Sequence, residues 1–181
     1  MKRLSIIFAA VSLLSFKVQP KIFTTNTGMI NFRSEAPLEL INAESKELKG
    51  AVDADKRTFA FRIRIRSFEG FNSPLQKEHF NENYMESVKI PEALFSGKII
   101  EDVDLTIPGV YTIRAKGILN IHGVPRERII KSDVEVKNGM IKIKSNFTVL
   151  LSDHNIPIPR VVKEKLANEI KVELTADLVR K

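Results

Sequence analysis

From Thr58 to Arg66 the chain alternates, with Phe59, Phe61, Ile63 and Ile65 in one phase and Arg62, Arg64 and Arg66 in the other. A period of two places these sets on opposite faces of a strand, one against an interior and one in solvent. After Phe68 and Phe71 the period changes, and Leu75, His79, Phe80, Asn83 and Tyr84 recur at helical spacing. The spacing predicts a short lid helix over about 76–86. Pro91 ends it, because proline lacks the N–H that the next turn needs.

The second half repeats the two-residue period. Ile99, Val103, Leu105 and Ile107 share a phase in a strand expected from Gly97 to Ile107, with Glu101 as an exception at a rim or bulge. Beyond the Pro108-Gly109 turn, Tyr111, Ile113, Ala115, Gly117, Leu119 and Ile121 form a long inward row with a bend expected at Gly117. Ile130, Ser132, Val134 and Val136 lead to Asn138-Gly139, a strong hairpin signal. The return strand turns Ile141, Ile143, Ser145, Phe147, Val149 and Leu151 inward. A loop over 152–159, a short helix over about 160–168 and a last strand with Ile170, Val172, Leu174, Ala176 and Leu178 in phase complete the chain.

Near the start, Lys21 to Thr25 and Met29 to Ser34 are two short candidate strands around Asn26-Thr27-Gly28, with Ile30, Phe32 and Ser34 in one phase. Leu38 to Ala43 and Leu48 to Val52 are two more. Strands joined by turns, each with one apolar and one charged face, predict an all-β antiparallel fold. Closure into a barrel of about eight strands removes exposed edges. Such a barrel is either filled by side chains or holds a single ligand.

Length and composition narrow the class. The 181 residues are enough for one domain, placed at 20–181. With 43% apolar and 28% charged residues, neither disorder nor a polytopic membrane protein is indicated. Lys2 and Arg3 followed by an apolar run from Leu4 to Phe16 match a secretory signal peptide, placed at 1–19, so the protein is expected to be exported to the periplasm or secreted. Without cysteine, neither disulfides nor a lipidated N-terminal Cys enters the picture. The 29 Lys+Arg against 22 Asp+Glu give +7; without Lys2, Arg3 and Lys17 the balance is 26 against 22, or +4. Spread over strand faces, that excess does not point to a nucleic-acid partner.

No phosphate loop, HExxH, GxSxG or EF-hand pattern occurs, and no cofactor is implied. The three histidines, His79, His122 and His154, have no metal-ligand spacing, so a metal-dependent enzyme would need them to converge in space. His122 falls on the outward phase before Gly123, where a hydrogen bond that stabilises the turn is expected. His154 lies in a loop where Asp153 caps a turn. Eleven Phe against two Tyr and no Trp make the aromatic content almost wholly non-polar. Packed together, these rings are ordinary core; spaced around a cavity, they suit an apolar chain.

The segments LQKEHFNENYMES, IPEALFSGKI, GILNIHGVPRE and SDHNIPIP resemble the YceI-like family of exported, lipocalin-like β-barrel proteins. The likeness runs over the chain after about residue 20 and is strongest over 60–160. It implies a non-enzymatic carrier whose tunnel holds a polyisoprenoid, an isoprenoid quinone or a fatty-acid derivative. Carried onto this chain, it implies a lining of Phe59, Phe61, Ile63, Ile65, Phe68, Phe71, Phe95, Tyr111, Ile113, Leu119, Ile121, Ile143, Phe147 and Val149. Phe80 and Tyr84 are then expected near an opening, with His79 as a polar contact at the mouth. The segment after Ser67 departs from the Asp-rich, double-Phe form associated with quinone-binding relatives, which leaves the head group open. The expected partner is a long-chain lipid or isoprenoid; contact with a membrane stays open, and the protein is expected to be a monomer or homodimer.

Overall fold

Most of the alternating segments become strands, and each strand pairs antiparallel with the next until β8 returns to β1 and closes an eight-stranded barrel. The computed structural model describes residues 21–181, so the signal peptide expected over 1–19 lies outside the described residues. In chain order the strands are β1 (Ile22–Glu35), β2 (Leu40–Asp53), β3 (Thr58–Arg64), β4 (Glu92–Ile99), β5 (Gly109–Ile121), β6 (Val124–Lys137), β7 (Met140–Leu150) and β8 (Glu169–Arg180). One short helix, α1 (Pro74–His79), follows β3.

The first four short segments merge into two long strands. Asn26-Thr27-Gly28 makes no turn; it is where the β1–β2 register slips, between Thr25 and Gly28 and again before Ile30. An inserted residue bends a strand without ending it, so a turn-like tripeptide inside a ladder is a bulge.

The strand expected over Gly97–Ile107 lies earlier, over Glu92–Ile99, and the chain then loops across one end of the barrel. Polar bonds within the loop and to Arg114 of β5 hold it out of the sheet. Asp104 Oδ1 accepts from Thr106 N at 2.9 Å and from Thr106 Oγ1 at 2.6 Å. Glu101, the exception to the alternation, accepts from Arg114 N at 2.6 Å and Arg114 Nε at 2.7 Å. These donors hold its carboxyl below the usual range. Leu105 is thereby carried inward and buried, while Ile107 is exposed.

The two helices differ from expectation in opposite ways. The lid begins earlier, because Ser73 caps it by accepting from Gln76 N at 3.1 Å and Pro74 takes the first-turn position where no N–H is needed. It ends in a widened turn over Phe80–Tyr84, with Met85 N donating to Phe80 O at 2.9 Å. The helix expected over 160–168 is a single tight turn, Arg160–Val162, followed by looser turns. So short a segment cannot offset the cost of helix nucleation, and it is tethered to β1 where Ala167 N donates to Ser34 Oγ at 2.9 Å.

The interior is uneven along the barrel axis. At the end crossed by the 100–108 loop, Phe23, Val52, Leu105, Val136, Ile141 and Leu178 are buried and packed together. At the other end the β3–β4 connection, with α1, and the β7–β8 connection cover the strands. A second cluster of Ile65, Met85, Leu151, Ile156 and Ile170 sits beneath them. Between the packed floor and this cover, space remains.

Candidate functional site

That space is a cavity of about 320 Å³, at the small end of the range of roughly 300–1,000 Å³ usual for ligand pockets. Its lining is overwhelmingly apolar. From the strand read first in the sequence come Phe59, Phe61 and Ile63; Phe95 comes from β4, Ile113, Leu119 and Ile121 from β5, and Ile143, Phe147 and Val149 from β7. Phe68, Phe71, Phe80, Tyr84 and His79 line it from the β3–β4 connection. The structure thus brings most of the expected residues to one space.

Two expected residues lie elsewhere, and these placements are corrected. Ile65 belongs to the cluster beneath the cover: the strand ends at Arg64, a tight turn follows, and its side chain swings away from the phase of Ile63. Tyr111 packs at the far end, where its hydroxyl donates to Ile107 O at 2.9 Å. A phenol satisfied by the loop that closes the floor is a structural group.

The cavity also takes residues that the expected lining did not include. Ile30 and Phe32 of β1 and Ile170, Val172 and Leu174 of β8 complete its circumference, and Val162, Lys165 and Leu166 reach it from the β7–β8 connection. The inward phases of β1 and β8 were readable as strand faces. Their share in the lining was not, because it depends on which strands face each other across the closed barrel.

Phe32 is the hub of the upper wall. Its ring centroid lies 5.3 Å from Phe68, 5.4 Å from Phe80 and 6.0 Å from Phe71, and Phe71 and Phe80 are 5.0 Å apart. Such tilted, edge and stacked pairs favour a fixed geometry over a fluid one. Phe80, the first residue of the widened turn, belongs to this group. Lower down, Phe59 and Phe95 pair at 4.8 Å, and the Phe61 ring occupies the space that a side chain on Gly50 would need.

Polar groups are few and lie at particular heights. Ser132 and Ser145 face the cavity from β6 and β7 and bond to each other at 2.7 Å. Above this pair the β6–β7 ladder stops, while β6 continues to pair with β5 as far as Val124 and β7 with β8 as far as Leu150. Arginines lace the seam, Arg128 Nη2 donating to Thr148 O at 2.7 Å and Arg126 Nε to Asp153 O at 2.6 Å. At the mouth, Gln76 Nε2 donates to Glu39 Oε1 at 2.8 Å, and His79 and Lys165 are exposed. Burial pushes the Tyr84 phenol up, so it remains a neutral hydroxyl in this wall.

His122 and His154 meet away from the mouth. His122, at a left-handed φ of 53°, places Nδ1 3.2 Å from His154 O. The fully buried His154 has Nδ1 3.0 Å from Val124 O, which makes Nδ1 the protonated nitrogen of a neutral ring. Burial holds its pKa below the ordinary value. His122 ties the β5–β6 turn, and His154 the start of β6, to the β7–β8 connection. Among the described residues no group of three or more His, Cys, Asp or Glu is placed to hold a metal ion.

Comparisons with known proteins agree with this architecture. A family model described as a YceI-like domain matches residues 9–178. A polyisoprenoid-binding domain from Saccharophagus degradans implicated in plant cell wall breakdown is similar in structure at 12% identity, with a TM-score of 0.75 over 90% of this chain and 100% of that one. Burkholderia cenocepacia BcnA, also at 12% identity, gives 0.69 over 84% and 96%. A Campylobacter jejuni YceI protein at 14% identity gives 0.60 over 100% and 99%. At such identities these neighbours establish the fold alone. No curated protein matches the sequence significantly.

Proposed function

The chain belongs to the YceI-like family, and from that premise we propose that it is an exported, non-enzymatic binding protein that encloses a long apolar molecule in its barrel. The molecule is of the polyisoprenoid, isoprenoid quinone or fatty-acid class. One observation carries the reading: aliphatic and aromatic side chains from around the barrel leave about 320 Å³ unfilled between a packed floor and a covered end. Natural interiors are close-packed, so an apolar void of this size is costly unless something occupies it. A relative described as a polyisoprenoid-binding domain lends the same direction. Burial of the guest at about 0.8 kcal/mol per methylene drives binding. The polar groups at the mouth orient a head group.

The test is native mass spectrometry of the protein purified from its own host's export compartment, followed by organic extraction and lipid identification. A stoichiometric polyprenyl or acyl species is expected. A protein that carries nothing and takes up neither added isoprenoids nor fatty acids overturns the reading.

A further inference from the structure

Three separate segments frame the mouth of the cavity. The β1–β2 loop supplies Glu39 to the lining, α1 supplies Gln76, and the β7–β8 connection supplies Val162, Lys165 and Leu166. They are locked side by side: Leu38 N donates to Glu164 O at 2.8 Å, Gln76 Nε2 to Glu39 Oε1 at 2.8 Å, and Asn72 Nδ2 to Leu40 O at 2.9 Å. Next to its lining residue, each segment turns an apolar side chain out to solvent. Leu38 is 67% exposed, Leu75 58% and Val161 89%. A single exposed apolar residue needs no explanation, but three from different segments around one opening form a patch.

One segment of this rim is cationic, while the other two carry Glu39, Lys77 and Glu78. Residues 160–165 carry Arg160, Lys163 and Lys165 against Glu164 alone, and none of these three cations takes part in an ion pair among the described residues. Apolar side chains flanked on one side by unpaired cations suit the boundary of an anionic bilayer, where the first enter the acyl region and the second meet head groups.

We propose that this rim docks on an anionic lipid surface, so that an apolar chain passes between bilayer and barrel without crossing water. The inference rests on the carrier reading and names its partner. Each methylene exposed in transit opposes transfer, so a long chain moves readily only where the cavity mouth meets the bilayer.

Co-sedimentation of the purified protein with vesicles tests this, comparing phosphatidylcholine alone with an equal mixture of phosphatidylcholine and phosphatidylglycerol. The protein is expected to bind the mixed vesicles, less so as salt is raised, and to ignore the neutral ones. Leu38→Ser/Leu75→Ser/Val161→Ser should abolish binding. Arg160→Gln/Lys163→Gln should weaken it roughly fivefold for each cation removed. None of the five residues lines the cavity, so both variants should melt like the parent and bind a fluorescent fatty acid as well as it does. Equal vesicle binding by parent and variants overturns docking. A dimer that disappears in the serine variant, without vesicle binding, also overturns it, in favour of a second copy on the rim. Probe uptake without vesicle binding removes docking and leaves the carrier reading intact. Rim-dependent vesicle binding by a protein that takes up no probe supports docking and removes the carrier reading.

Discussion

Ser132 Oγ and Ser145 Oγ lie 2.7 Å apart, both buried, at the last pair of the β6–β7 ladder before the strands part. Each hydroxyl is the other's side-chain partner in an otherwise apolar wall. Removing one leaves a buried donor or acceptor unsatisfied, which costs about 1–3 kcal/mol, whereas removing both leaves nothing to satisfy. Ser132→Ala and Ser145→Ala should each lower stability by that amount in urea titrations, and the double variant should cost clearly less than their sum. Additive losses would mean that the pair does not act as one unit.

Phe61 lines the cavity over Gly50 and is only partly buried, whereas Phe59 beside it is nearly inaccessible. Phe61→Ala should therefore weaken binding of a fatty-acid or isoprenoid probe about tenfold, the equivalent of roughly two buried methylenes. Its melting temperature should fall less than that of Phe59→Ala. Unchanged affinity in a folded Phe61→Ala protein would move the ligand away from this wall.

Gly97 and Gly117 face each other across β4 and β5, and a side chain on Gly117 would collide with the Ser96 carbonyl. The obstacle is backbone and cannot swing aside, so Gly117→Ala should cost about 1–3 kcal/mol by thermal or urea unfolding. A neutral substitution would show that the two strands can separate freely.

Acid should destabilise the protein in two stages. With its pKa depressed by burial, His154 binds its proton more readily in the unfolded chain, so stability is complete above the ordinary value of 6.5 and falls as pH drops below it. The slope cannot exceed about 1.4 kcal/mol per pH unit for one group. Glu35, Glu86 and Glu101, also lowered, act only near and below their ordinary value of 4.5, where protonation removes their bonds to Lys171, Lys89 and Arg114 respectively. Melting temperature measured from pH 7 to pH 5 should decline in the parent and stay flat in His154→Asn. An equal decline in both would assign the first stage to another group.

The alternating segments around 59–65, 111–121, 130–136, 141–151 and 170–178 were legible because a half-buried strand writes its two faces directly into the chain. Asn138-Gly139 announced its turn for an equally local reason, since both residues take a positive φ, 52° and 72°. The lid was expected from about 76, and the Ser73-Pro74 cap that starts it two residues earlier was missed although it is a local signal. The bulge at Asn26-Thr27-Gly28 and the loop at 100–108 were not legible, because each depends on bonds to residues distant in the chain or on the register of a neighbouring strand.

By itself, then, the sequence determined that this chain folds as an antiparallel barrel with one apolar surface inside, because period-two burial and turn chemistry act over a few residues. Tertiary structure alone decided that the interior is packed at one end and open at the other. It also decided that Phe32, Ile170 and Leu174 share the cavity with Phe61, and that Leu38, Leu75 and Val161 meet on one rim. Those outcomes depend on which residues closure brings opposite each other, and no local pattern records that.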